Sequence, residues 1–254
     1  MKPLAVAVEA ALAGGAVLKS YLGGAFQISY KGELNLVTEA DLASEREVIS
    51  TLRRRFPGAG ILAEEMGESE GDSGMRFIVD PLDGTTNFAH GYAVFAVSIA
   101  YEEKDRVLAA AVYDPAREEL FTAAKGRGAF LNGRRLRVST TTSLSRAMLV
   151  TGFPYDVKED LDGNLRLFRR FMGASRAVRR DGSAALDLCY LAAGRFDGFW
   201  EEKLGPWDTA AGALIVEEAG GRVTDLGGGA YHYSLECIVA SNLRIHAQML
   251  EVID

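Results

Sequence analysis

Asp80-Pro81-Leu82-Asp83-Gly84-Thr85-Thr86-Asn87-Phe88 follows directly on Phe77-Ile78-Val79, and that junction sets the reading of the whole chain. The short apolar, partly β-branched run predicts a buried strand. Pro81 has no N–H for a strand ladder, so the chain is expected to turn just after Asp80. Asp80 and Asp83 flank that turn, with the Leu82 carbonyl between them. Oxygen ligands of this kind suit a hard cation such as Mg²⁺. Gly84 lets backbone come close to a ligand, and Thr85-Thr86 predict the start of a helix whose free N–H groups would hold an anion. A cation and a phosphate held side by side are the working parts of a phosphatase. The same letters also spell ordinary turn chemistry, with Asp83 as a helix cap. The rest of the chain decides between the two.

Upstream, Ile61-Leu62-Ala63-Glu64-Glu65 is an apolar run that ends in a carboxylate pair, either a solvated loop or a ligand. Further upstream, Leu36-Val37-Thr38-Glu39-Ala40-Asp41 leads into a predicted helix carrying Leu42, Ile49, Leu52 and Phe56 at near-helical spacing. Thr38 is the expected N-cap, and Asp41 falls where its carboxylate completes a capping box. Capping alone accounts for Asp41. Downstream, Gly205-Pro206-Trp207-Asp208 opens a helix that ends before Gly220-Gly221, and Asp208 could simply complement the helix dipole.

Each piece has a plain structural explanation; their set and order do not. Lys31, Thr38 to Asp41, Glu64-Glu65, Asp80 to Phe88, Gly182-Ser183-Ala184-Ala185 and Trp207-Asp208 together resemble the inositol monophosphatase family, over essentially the whole chain. The run from Arg179 to Leu188 is similar to the bacterial branch, and Ala63 stands where many members carry Gly.

The resemblance implies a layered α-β-α-β-α sandwich shared with fructose-1,6-bisphosphatases. It implies an N-terminal α+β half, 1–141, carrying most metal ligands. A C-terminal α/β half, 142–254, would supply Asp208 and substrate-binding residues, with the site in the cleft between. Glu64, Asp80 and the Leu82 carbonyl would bind one Mg²⁺, and Asp80, Asp83 and Asp208 a second, roughly 4 Å away. Glu64 would help to hold a weaker third. Thr85, hydrogen-bonded to Asp41, would orient the attacking water, and Gly84 and Thr85 amides would receive phosphate oxygens. Asp83, Gly182, Ser183, Ala184, Glu201 and Asp208 would meet the substrate, with Lys31 and Glu65 as secondary candidates. The implied substrate is myo-inositol monophosphate, with lithium sensitivity and a homodimer. Fructose-1,6-bisphosphate, histidinol phosphate and 3′-phosphoadenosine 5′-phosphate are alternatives, although Thr86-Asn87-Phe88 favours the inositol and fructose types. Bacterial members are also linked to transcription and RNA machinery, so a non-catalytic interaction protein is the distant rival.

Composition fits this picture. A chain of 254 residues, 48% hydrophobic and 25% charged, has the profile of a soluble globular protein. A formal charge of −7 argues against a nucleic-acid surface. Asp41, Glu64, Glu65, Asp80, Asp83 and Asp208 contribute to that acidity, which bound cations would offset. Cys189 and Cys237 make no disulfide framework, and His90, His232 and His246 lack metal-binding spacing and are expected to be surface or structural, so a cytoplasmic protein is expected. Cys189 to Arg195 matches the Cys-x5-Arg signature of tyrosine phosphatases. Ala185, Leu188, Cys189 and Ala192, however, recur at helical spacing and predict a buried helix cysteine.

Lys2 and the apolar residues after it imitate a secretory signal, but Glu9 interrupts them. An amphipathic helix with Leu4, Val8, Leu12 and Leu18 on its inner face is expected, with no run of membrane-spanning length. Strands are expected at Phe77–Val79, Ala93–Tyr101, Val107–Tyr113 and Glu119–Thr122, then a hairpin turning at Asn132-Gly133. After a polar boundary, Ser139–Ser143, strands and helices alternate up to a closing helix, Asn242–Ile253.

Overall fold

Helix α1 (Pro3–Tyr21) and helix α2 (Glu39–Arg55) form one outer layer, joined through a hairpin of β1 (Ile28–Lys31) and β2 (Asn35–Thr38). The computed structural model describes residues 2–24, 28–31, 35–71, 74–154 and 156–254, without the side chains of residues 28–31, 35, 36 and 164. The inner face of α1 is not the leucine face expected from spacing. Val6, Ala7, Ala10, Ala11, Gly14, Gly15 and Leu18 are buried, while Leu12 is 41% exposed. Small residues win because the neighbours come close: a Cβ on Gly14 would lie 2.7 Å from a Val48 methyl. Glu9 faces outward and takes a hydrogen bond from Arg55 Nη2 at 2.8 Å. At 19 residues α1 is also long and apolar enough to cross a bilayer, contrary to expectation; here it packs on α2 and the first sheet. In α2, Ile49 and Leu52 are buried as expected, but Leu42 points to solvent.

That sheet has eight strands in the order β10-β9-β8-β7-β6-β5-β3-β4. They are β3 (Gly60–Ala63), β4 (Gly67–Ser69), β5 (Met75–Asp83), β6 (Ala96–Glu103), β7 (Arg106–Asp114), β8 (Glu119–Ala124), β9 (Gly128–Leu131) and β10 (Arg134–Arg135), with helix α3 (Thr85–Ala89) between β5 and β6. Only the β3–β5 pair is parallel in this sheet. The β9–β10 turn has φ of 48° at Asn132 and 78° at Gly133, the double positive φ that a type I′ hairpin needs. Alternation along β5 serves two cores: Phe77 and Val79 pack toward α1 and α2, and Ile78 packs toward the opposite layer.

The second sheet comprises β11 (Met148–Thr151), β12 (Ala177–Arg179), β13 (Gly198–Glu201), β14 (Arg222–Thr224) and β15 (Ile238–Ser241), in the order β12-β11-β13-β15-β14. Helix α4 (Leu161–Ala174) covers one face with a last helix, α7 (His246–Ile253). The other face meets α5 (Ala184–Ala192) and α6 (Pro206–Glu218), which are sandwiched against the first sheet. The layers are therefore α-β-α-β-α, as the resemblance implied.

Helix α7 starts later than expected because the Asn242 side chain ties down a turn, accepting from Arg244 N at 3.1 Å and Ile245 N at 3.2 Å. The hairpin β1–β2 and the short strands β4 and β12 had no signal in the pattern. Cys189 lies fully buried within α5, and burial pushes its thiol well above the usual range. It is a core residue, not a phosphate-loop nucleophile. His246 is buried and structural, bonded to Thr224 and Ser241.

Candidate metal and phosphate site

The chain does not turn at Pro81. Strand β5 runs on to Asp83, and its pairing with β6 shifts register between Asp80 and Asp83. The bulge absorbs the proline that cannot join the ladder. Ser44 Oγ of α2 holds the Pro81 carbonyl at 2.8 Å, and Asp80 Oδ1 accepts from Leu82 N at 2.9 Å. Gly84 then adopts φ of 94° as the N-cap of α3. A Cβ there would meet the Val94 carbonyl oxygen at 2.8 Å, so glycine is required on conformation and on space.

Asp80, Asp83 and Asp208 each offer a carboxylate oxygen within 4.8 Å of the others. Two come from the bulge of β5; Asp208 comes from the first turn of α6, where it also caps the helix by accepting from Gly205 N at 2.6 Å. Asp83 Oδ2 accepts from Ser183 Oγ at 2.6 Å and from Ala185 N at 2.8 Å. Its pKa is raised to about 6 by burial, against the pull of these donors. Burial, then the charges of Glu64, Asp83 and Asp208, holds Asp80 well above the usual carboxylate range. Asp208 is raised by burial and by Asp83. Crowded, desolvated carboxylates with a backbone oxygen in the bulge form a donor set that fits a hard divalent cation.

Glu64 lies outside that trio but close enough to be the largest charge acting on Asp80; its own N–H donates to Val79 O at 3.2 Å. Glu65 N donates to Glu45 Oε2 at 3.0 Å, which brings in a buried α2 carboxylate that the sequence reading did not single out. Thr85 Oγ1 stands 2.8 Å from Asp41 Oδ1 and 3.0 Å from the Leu82 carbonyl. Asp41 does form the capping box, Oδ2 accepting from Thr38 N at 2.8 Å, but its other oxygen faces Thr85. Asp41 is therefore shared between the helix cap and Thr85. Burial raises the Asp41 pKa, opposed by the Thr38 and Thr85 hydrogen bonds.

A cleft beside the trio is lined by Asp83, Gly84, Ser183, Ala184, Glu201 and Asp208, and Gly182 joins them. Glu201 is buried, and its pKa is raised to about 8 by burial and by Asp83, with Arg180 opposing. Gly152, Phe153, Arg180 and Lys203 also line the cleft and were missed as site residues. Arg180 was within reach, as the second of two arginines beside Asp181. Nothing local marks Gly152, where any Cβ would collide with the Glu201 carboxylate. The side chain of Lys31 lies outside the described residues, so its place relative to the site is not described.

The chain is 47% identical over 250 residues to Nus factor SuhB of Escherichia coli, covering 97% of this chain and 94% of that protein. It is 45% identical over 252 residues to an inositol-1-monophosphatase of Synechocystis, covering 98% and 88%. Among solved structures it is similar to the extragenic suppressor protein SuhB of Bartonella henselae, with a TM-score of 0.93 at 44% identity, covering 98% of this chain and 97% of that one. The inositol monophosphatase of Anabaena gives 0.90 at 43% identity, covering 98% and 94%. With residues 2–254 matching one family from end to end, and the acidic bulge of β5 facing the first turn of α6, this chain belongs to the inositol monophosphatase family.

Proposed function

We propose that the protein is a Mg²⁺-dependent phosphatase that hydrolyses myo-inositol 1-phosphate to inositol and phosphate. The observation that carries this reading is the meeting of Asp80, Asp83 and Asp208 at the rim of a cleft that Glu201 also lines. Asp80, Asp83, Asp208, Glu64 and the Leu82 carbonyl would hold the ions, two or three of them, contributed by the 1–141 half except for Asp208. Mg²⁺ bound there supplies an acidified water and charge neutralisation for the phosphate and the leaving alkoxide.

The chain's own groups do the rest. Asp41, fixed by Thr38, draws the Thr85 proton toward itself, which leaves a Thr85 Oγ1 lone pair to orient the attacking water. The amides of Gly84 and Thr85 receive phosphate oxygens. Glu201 presents two acceptor oxygens to neighbouring hydroxyls of a polyol, a match for a ring of alcohols. Glu65 supports the site through its backbone bond to Glu45. The working form is a cytoplasmic homodimer.

Relatives that carry the name Nus factor favour a second reading, in which the chain also acts as an interaction protein in transcription. The two roles are compatible.

The test is phosphate release from inositol 1-phosphate, fructose-1,6-bisphosphate, histidinol phosphate and 3′-phosphoadenosine 5′-phosphate, with and without Mg²⁺. Inositol 1-phosphate should lead, release should require Mg²⁺, and Li⁺ should inhibit without relief by added substrate. Release that persists in chelator, or preference for another ester, overturns the assignment.

A further inference from the structure

Asp187 is a buried carboxyl to which the chemistry above gives no part. It stands in the first turn of α5, one helical turn beyond Ser183 and Ala184, so the three share a face. Ser183 and Ala184 line the acidic cleft, whereas Asp187 is only 1% exposed. Neither Asp187 oxygen has a hydrogen-bond partner among the described residues. An ionised carboxylate in that position would be desolvated and unpaired, at a cost far above that of the neutral acid. Its place in the core therefore keeps a proton on Asp187. Burial, then the charge of Glu201, pushes its pKa well above the usual carboxylate range. The neutral acid still carries an O–H that needs an acceptor.

Three carboxylates act on Asp187: Glu201 first, then Asp181 and Asp83, with Arg180 opposing. Asp83 is already held by Ser183 Oγ and Ala185 N, and Asp181 stands partly exposed on the loop before α5. Glu201 is different. It closes β13, a strand on which α5 packs, and Gly152, just past β11, crowds its carboxylate. That carboxylate lines the cleft and accepts no hydrogen bond from any described residue. One buried carboxyl thus has a donor without an acceptor, and its neighbour has acceptors without a donor.

We propose that Asp187 is a positioning residue for Glu201: its O–H donates toward the Glu201 carboxylate, directly or through one water, and fixes how the remaining lone pairs meet a substrate hydroxyl. The deeper group holds the proton, and the charge rests on the one beside the cleft and Arg180. The consequence for substrate rests on the polyol reading of Glu201; the link between the two carboxyls does not.

Infrared spectroscopy of the full chain at pH 7 with Mg²⁺ tests the link without a phosphatase assay. Subtracting the Asp187→Asn spectrum from that of the wild type should leave a protonated-carboxyl band. The same subtraction in protein carrying Glu201→Gln should leave that band shifted, because its acceptor has changed. Kinetics reads the consequence. Asp187→Leu keeps the bulk but removes the donor, and should raise KM for inositol 1-phosphate about tenfold with kcat within about twofold. KM for glycerol 2-phosphate should move less. Asp187→Asn, which keeps an uncharged donor, should bring KM back to within about twofold of the wild type. An unchanged circular dichroism spectrum establishes that each variant folds. No protonated-carboxyl band, a band indifferent to Glu201→Gln, or Asp187→Asn as damaging as Asp187→Leu overturns the proposal. A wild type that releases no phosphate from inositol 1-phosphate overturns the phosphatase reading instead, and the infrared pair still decides the link.

Discussion

Thr85 Oγ1 sits 2.8 Å from Asp41 Oδ1, and the other oxygen of the same carboxylate closes the capping box of α2. One side chain thus serves both the start of a helix and the candidate site, and the two duties can be separated. Thr85→Ala removes only the contact with the site and should lower kcat by about 10²-fold or more, with Tm nearly unchanged. Thr38→Ala removes the cap hydroxyl that accepts from Ala40 N and Asp41 N, and should cost about 1 kcal/mol of stability, read as a fall in Tm. A Thr85→Ala protein with wild-type kcat would show that the hydroxyl has no part in orienting water.

Asp83→Asn keeps shape and an acceptor for Ser183 Oγ and Ala185 N, but loses the charge. Turnover should fall by about 10³-fold, while the circular dichroism spectrum stays that of the wild type. Retention of most activity would sink the assignment of Asp83 to a metal.

The acidic trio ties stability to pH. Asp80, Asp83 and Asp208 have raised folded-state pKa values, about 6 for Asp83. A carboxyl raised in this way contributes stability that is complete below its unfolded value of about 4 and is lost as pH rises through the folded value. Metal-free protein should therefore lose this contribution between about pH 4 and pH values above 6, where Mg²⁺ would offset the repulsion. At 100 times its Kd the ion should add about 2.7 kcal/mol, a Tm rise of roughly 5–10 °C. The rise should be clearly larger at pH 7.5 than at pH 5. His246 works in the opposite sense: lowered to about 4, it loses stability as pH falls from 6.5, so Tm with and without Mg²⁺ must be compared at the same pH. An equal Mg²⁺ effect at both pH values would contradict the crowded-carboxylate account.

Glu201→Gln should act on substrate choice. Leaving polyol hydroxyls with a poorer partner should cost about 1–3 kcal/mol in kcat/KM for inositol 1-phosphate. Glycerol 2-phosphate, with fewer hydroxyls to place, should lose less. Matching losses on the two esters would mean that Glu201 does not read the ring.

The candidate site was legible where chemistry is written locally. Asp80 to Phe88 and Trp207-Asp208 combine turn residues, carboxylates and helix starts within a few positions, and the layered α/β class followed from alternating elements. Part of the cleft wall was not legible, because Gly152 and Lys203 are brought to it by β11 and by the loop after β13 and carry no pattern of their own. Pro81 misled because a missing N–H predicts a break, whereas a bulge tolerates it inside a continuing strand. The inner face of α1 was misread for a related reason. Leucine spacing reports apolarity, but close approach to Val48 and Tyr113 selects glycine and alanine.

Asp83 belongs to the first sheet, yet the groups that orient its carboxylate, Ser183 Oγ and Ala185 N, stand at the beginning of α5. The reactive geometry is therefore a property of docked layers and of neither layer alone. During folding, a chain with both sheets formed but α5 not yet seated holds every residue of the trio and still lacks a set carboxylate. Phosphate release, if measured during dilution from denaturant, should therefore return no earlier than the seating of α5.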